Sequence, residues 1–177
     1  MPKTKLLVIG LGQDLRGDDA AGLEVVKRWQ AEYPETAGDP ELVVELSPLP
    51  GLSLLSFLEC AEAAILVDAV QSGARVGTVH VLQREDLAAF GTDARSAHGW
   101  GVAETLALGE ELYADKLPKR IRLLAIEAGG LELGSQLSVE VQNALPAAAQ
   151  KLQELVLLLR QPEAGNEAET QQAGVLN

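Results

Sequence analysis

The sequence predicts an α/β fold: a three-layer α/β/α sandwich with helices on both faces of a mostly parallel, twisted sheet of about five strands. Three observations carry this. Short apolar runs alternate with segments of helical period along the chain. The runs are apolar nearly throughout, as strands covered on both faces must be. One strand, Thr78 to Leu82, follows a loop too short for a helical crossover, so it is expected to be the antiparallel exception.

The elements follow in order. Leu6 to Gly10 reads as a central strand ended by glycine. After a polar loop, Gly22, Val25, Val26, Trp29 and Tyr33 share one helical face. Tyr33 to Pro40, with two prolines, is a turn-rich connector. Leu42 to Leu46 is the second strand, and SPLPG turns the chain into a short helix running through Cys60. Ala64 to Val70 is the third strand, Gln71 to Gly77 a loop, and Thr78 to Leu82 the fourth strand. The stretch Ser96 to Tyr113 contains a helix with Val102, Thr105, Leu106, Gly109 and Leu112 on one side. Ile121 to Ile126 is the fifth strand. Beyond Ser138 a helical period runs through Leu145, Ala148, Ala149, Leu152, Val156 and Leu159, with a kink or break expected at Pro146. Residues 1–160 therefore form one domain. Residues 161–177 lose all period, carry three glutamates and no cation, and are expected to be a disordered tail.

Composition narrows the function. The 177 residues carry 14 Lys and Arg against 26 Asp and Glu, a net charge of −12. No basic cluster exists to displace counterions from nucleic acid or to meet an anionic membrane, so neither is an expected partner. No apolar run approaches the roughly 20 residues of a membrane span, and the N-terminus lacks the pattern of a signal peptide. A cytoplasmic protein is expected. Cys60 is the single cysteine, which excludes an intramolecular disulfide and a cysteine zinc cluster. Its apolar helical setting reads as a buried, inert thiol.

Ligands of such sheets bind at the carboxyl ends of the strands, and three segments place polar groups there. GLGQDLRGDDAAG, residues 10–22, links the first strand to the first helix. It is not a dinucleotide fingerprint, because the third glycine would fall at Leu15, nor a phosphate loop, because no Gly-Lys-Ser/Thr follows. Asp18 and Asp19 there, taken alone, read as helix-capping carboxylates before they read as functional ones. Asp68 ends the strand ILVDAV, where an unpaired buried carboxylate would cost several kcal/mol, so it is either a hydrogen-bonded loop residue or functional. His98, in SAHGWG, is either a helix-start residue or a ligand, whereas His80 in TVHVL reads as a half-exposed strand residue. Asp19, Asp68 and His98 together would make an oxygen-and-nitrogen set suited to nickel or zinc. No G-x-S-x-G elbow or H-E-x-x-H helix is present.

These residues resemble the hydrogenase maturation proteases. The family pattern G-x-G-N-x-L-x-x-D-D/E-x-x-G is matched by Gly10, Gly12, Leu15, Asp18, Asp19 and Gly22, with Gln13 standing where the family has asparagine. An aspartate ending the central strand (Asp68) and a histidine after Ser-x (Ser96, His98) follow in family order. The Leu-Ser-Pro turn at 46–48, Glu111-Leu-Tyr113, Ile126-Glu127-Ala and Gly134 to Ser138 also resemble the family, so the likeness spans roughly residues 4 to 160. The resemblance implies an endopeptidase that removes the C-terminal extension of a nickel–iron hydrogenase large-subunit precursor once nickel is inserted. It implies Asp19 and Asp68 as catalytic carboxylates, and Asp19, Asp68 and His98 as contacts to the substrate's nickel. No tightly bound metal of its own is implied, although zinc or cadmium would substitute for nickel in crystals, and the protein is expected to act as a monomer. Two other classes remain open at this level. One is a non-catalytic hydrogenase assembly or binding protein on the same fold. The other is a nucleoside-handling hydrolase, for which only two each of Trp, Tyr and Phe are available to line a pocket.

Overall fold

The computed structural model describes residues 4–47, 51–87, 95–96, 102–113 and 115–161. Its strands are β1 (Thr4–Leu11), β2 (Leu42–Ser47), β3 (Ala61–Gln71), β4 (Val79–Gln83), β5 (Arg95–Ser96) and β6 (Arg120–Glu127). Its helices are α1 (Ala21–Glu32), α2 (Pro34–Ala37), α3 (Leu52–Leu58), α4 (Val102–Tyr113) and α5 (Val139–Arg160), with a 3₁₀ turn at Gly17–Ala20 before α1. The sheet order is β2-β1-β3-β6-β4, and β5 adds a two-residue pairing with β3. The pairs β1–β2, β1–β3 and β3–β6 are parallel. β4 runs antiparallel to β6, as the short loop before it requires.

Strand alternation divides the core into two layers. On one face Leu6, Val8, Ala63, Ile65, Val67, Leu124 and Ile126 pack under Val25, Val26 and Trp29 of α1 and Ala149, Leu152 and Val156 of α5. On the other, Leu7, Ile9, Ala64, Leu66, Ile121 and Leu123 pack under Leu54, Leu55 and Leu58 of α3 and Val102 and Leu106 of α4. Each buried Leu, Ile or Val among them contributes about 1.5–3 kcal/mol relative to exposure. The central strands therefore form without alternating polarity, because both faces are dry.

Four details depart from the sequence reading. α3 ends at Leu58, and Cys60 is exposed in the turn before β3. Its apolar neighbours are buried, but the chain reverses before the helical period reaches it. Leu112 is 58% exposed, since α4 buries its face through Val102, Thr105, Leu106 and Gly109 and then runs beyond its cover. Pro146 does not break the last helix, which is continuous from Val139 to Arg160. Pro146 and Gln142 are both exposed, so the carbonyl deprived of its partner can take water. The connector after Tyr33 holds one short helical turn, α2, begun by Pro34 at a position that suits proline. The tail from residue 162 lies outside the described residues.

Candidate active site

β1 leads to β2 on one side of it, while β3 lies on the other. The sheet therefore changes direction between β1 and β3, and a crevice at the carboxyl ends of these two strands is where an α/β sheet receives its ligand. The glycines of residues 10–22 explain how the chain fills that crevice. Gly12 has φ +141°, and a Cβ there would lie 2.0 Å from the Asp19 carbonyl oxygen. A Cβ on Gly22 would lie 2.3 Å from the carbonyl oxygens of both Leu11 and Val67. Backbone meets backbone at both points, so only glycine fits. The first turn of α1 rests directly on the ends of β1 and β3, and the 3₁₀ turn carrying Asp18 and Asp19 packs against β3 and the start of α1.

The two adjacent aspartates have different roles. Asp18 is 1% exposed and its carboxylate accepts four hydrogen bonds: from Gly129 N at 2.9 Å, Gly130 N at 3.3 Å, Ser138 N at 2.6 Å and Ser138 Oγ at 2.9 Å. Ser138 in turn caps α5 by accepting from Val141 N. Asp18 thus caps no helix of its own. It fastens the turn after β1 to the loop after β6 and to the start of α5, and so fixes the position of the next residue.

Asp19 and Asp68 are brought together at the crevice. Both are buried, at 0% and 1% exposure. Burial pushes the Asp68 carboxyl up to about 8; donation from Ala69 N at 2.8 Å pulls it down, and the nearby Asp19 charge raises it further. Near neutral pH Asp68 therefore holds a proton beside a second carboxyl group. By strand alternation Asp68 falls on the face covered by α3 and α4.

His98 lies outside the described residues. The chain approaching it is placed by β5, where Ser96 pairs with Val70, two residues beyond Asp68. The chain leaving it enters α4, which covers the Asp68 face. Among the described residues no cluster of three His, Cys, Asp or Glu side chains is arranged to hold a metal ion.

Glu127 is a further buried carboxylate, at 2% exposure, that the sequence reading did not single out as a site residue. It accepts from Ser72 N at 2.8 Å, Gly73 N at 2.9 Å and Ser72 Oγ at 2.7 Å, and lies 3.4 Å from His80 Nε2. It pins the loop that follows β3. The signal that flags Asp68, a carboxylate ending an apolar strand, is equally present in RLLAIE. His80 is half-buried, in keeping with its strand pattern.

The sheet is doubly wound, with two buried carboxyl groups at its switch point, and burial raises one of them, Asp68, to about 8, close enough to neutrality for proton transfer. The family model HycI, described as hydrogenase maturation protease, matches residues 49–155, and the chain belongs to that family. It is a peptidase, a hydrolase of peptide bonds. The hydrogenase 2 maturation protease of Escherichia coli (strain K12) is 28% identical over 166 residues, covering 93% of this chain and 94% of that protein. The hydrogenase expression/formation protein HupD of Rhodobacter capsulatus is 34% identical over 130 residues, 72% of this chain and 59% of that one. Among solved structures, the hydrogenase maturating endopeptidase HybD from E. coli superposes with a TM-score of 0.69 at 23% identity, covering 87% of this chain and 93% of that chain. The [NiFe] hydrogenase maturation protease HybD from Thermococcus kodakarensis gives 0.62 at 25% identity, over 86% and 99%. No helix among the described residues is long and apolar enough to cross a membrane.

Proposed function

We propose that this peptidase removes the C-terminal extension from a nickel–iron hydrogenase large-subunit precursor after nickel insertion, using Asp19 and Asp68. The observation that carries this reading is the buried carboxyl pair at the switch point, one member of which keeps its proton near pH 7. Two interacting carboxyl groups share protons as a unit, so the acid and base roles belong to the pair. In its singly protonated form, Asp19 takes a proton from a water that attacks the scissile carbonyl. Asp68 then passes its proton to the departing amide nitrogen. The water's two hydrogens are thereby accounted for, one on Asp19 and one in the new carboxyl group. The pair is regenerated when Asp19 returns a proton to Asp68 through solvent.

The same oxygens, with the imidazole of His98, contact the nickel carried by the substrate. Carboxylate oxygen and neutral imidazole nitrogen suit a borderline divalent ion. The metal is then the mark by which a matured precursor is told from an immature one. The protein works as a cytoplasmic monomer with no tightly held metal of its own. The Gln13 side chain keeps an amide one methylene longer than the family's asparagine.

Incubation with nickel-loaded and nickel-free precursor tests the reading. A shortened large subunit from the loaded form alone supports it. Complex formation without shortening would instead make the chain a binding protein, and equal cutting of both forms would remove the nickel contact.

A further inference from the structure

The three most exposed large apolar side chains among the described residues are Leu133, Leu15 and Val139, at 79, 71 and 67%. All three lie on segments joined at Asp18. Gly134 N donates to Leu15 O at 2.7 Å, Gly17 N to Ser135 O at 3.2 Å and Asp18 N to Gly130 O at 2.9 Å. The Asp18 carboxylate adds its bonds to Gly129, Gly130 and Ser138, the residue before Val139. A braced scaffold of backbone and carboxylate hydrogen bonds therefore holds these apolar side chains in water. It does not let them fold inward.

The scaffold adjoins the site. It includes the 3₁₀ turn that bears Asp19, at the carboxyl edge of the sheet. Around the apolar side chains stand Asp14, Glu132 and Glu140, all exposed, against Arg16 and Lys27, and Lys27 already pairs with Asp14 at 3.0 Å. Apolar side chains inside a polar rim are the usual anatomy of a protein–protein contact. The rim is acidic in balance and the whole chain carries −12. A peptidase must bring its protein substrate to this same edge for the scissile bond to reach Asp19 and Asp68.

We propose that Leu15, Leu133 and Val139 form the docking surface for the folded body of the precursor, which meets them with apolar side chains ringed by Lys and Arg. This inference rests on the reading that a hydrogenase precursor is the substrate. The surface sets how tightly the precursor binds, while the carboxyl pair sets how fast it is cut.

The test is steady-state processing of nickel-loaded precursor by the wild-type protein and by the double variant Leu15→Asp/Leu133→Asp. A neutral pair, Leu15→Gln/Leu133→Gln, separates lost apolar contact from added charge. Leu158→Asp serves as control: Leu158 is 53% exposed near the opposite edge of the sheet, where Arg120 at the start of β6 donates to Gln161 O. The aspartate pair is expected to raise KM at least tenfold, and the glutamine pair several-fold. kcat should stay within twofold and the thermal midpoint should not move, with Leu158→Asp behaving as wild type. An unchanged KM in both pairs overturns the proposal, as does a loss confined to kcat. Sedimentation of the proteins alone adds a further check. A wild-type dimer that the aspartate pair dissociates would show a second copy to be the occupant, and would overturn it too. Failure of the wild-type protein to cut any precursor would refute the substrate reading itself, a distinct outcome.

Discussion

Asp68→Asn separates what the buried carboxyl does for catalysis from what it costs the fold. The substitution keeps size and shape but removes the ionisable proton. Folded Asp68 titrates near 8 against an ordinary value of 3.8, so from pH 4 to 8 the unfolded chain binds fewer protons at this residue than the folded one. Stability from this group is complete below pH 4 and is lost as pH rises toward 8. At pH 7 the difference spans about three pH steps of ~1.4 kcal/mol each, roughly 4 kcal/mol in favour of unfolding. Asparagine feels none of this, but its amide hydrogens need partners in a site that held one acidic proton, a cost of about 1–3 kcal/mol. The variant should therefore be more stable at pH 7 by about 1–3 kcal/mol, which is roughly 3–10 °C in thermal midpoint for a chain of this size. Near pH 4 the order should reverse. Thermal melts of both proteins from pH 4 to 8 would show curves that cross. Curves that stay parallel would mean that Asp68 is solvated or firmly paired, and the argument for its protonation would fail. In the processing assay the same variant should lose at least about a hundredfold in rate, the lower range for a positioned acid. Wild-type cutting by Asp68→Asn would make Asp68 a structural loop residue.

Three further expectations concern the surroundings of the pair. Asp18→Ala leaves the N–H groups of Gly129, Gly130 and Ser138 without their acceptor and should destabilise the fold by about 3 kcal/mol or more; chemical denaturation measures this, and a loss under 1 kcal/mol would contradict the fastening role. Gly12→Ala drives a Cβ to 2.0 Å from the Asp19 carbonyl in a positive-φ position, so the turn must move. Processing should fall more than tenfold while far-UV circular dichroism stays native, and full activity would show that the turn tolerates displacement. His98→Ala should abolish the preference for nickel-loaded precursor without shifting the thermal midpoint; a retained preference, read from gel shifts of both precursor forms, would leave the nickel contact to other residues.

Local pattern determined much of this protein. Nearly unbroken apolar runs place β1, β3 and β6 in the dry interior, and the short loop 72–78 makes β4 antiparallel, because both follow from short stretches of chain. The glycines at 10, 12 and 22 and the carboxylate set within the apolar run of β3, three residues before its end, mark the crevice for the same reason. What distant packing decides was not readable in this way. Asp18 and Asp19 are chemically identical neighbours, and only the arrival of Gly129, Gly130 and Ser138, more than 100 residues away, makes one a fastener and leaves the other beside Asp68. Cys60 and Leu112 continue helical periods but lie beyond the cover that would bury them. Pro146 is tolerated because its turn of the helix is exposed, and the proton on Asp68 is held by burial that no neighbour in sequence supplies. Backbone preference and periodicity act over a few residues, whereas burial, hydrogen-bond partnership and ionisation depend on whatever the rest of the chain brings alongside.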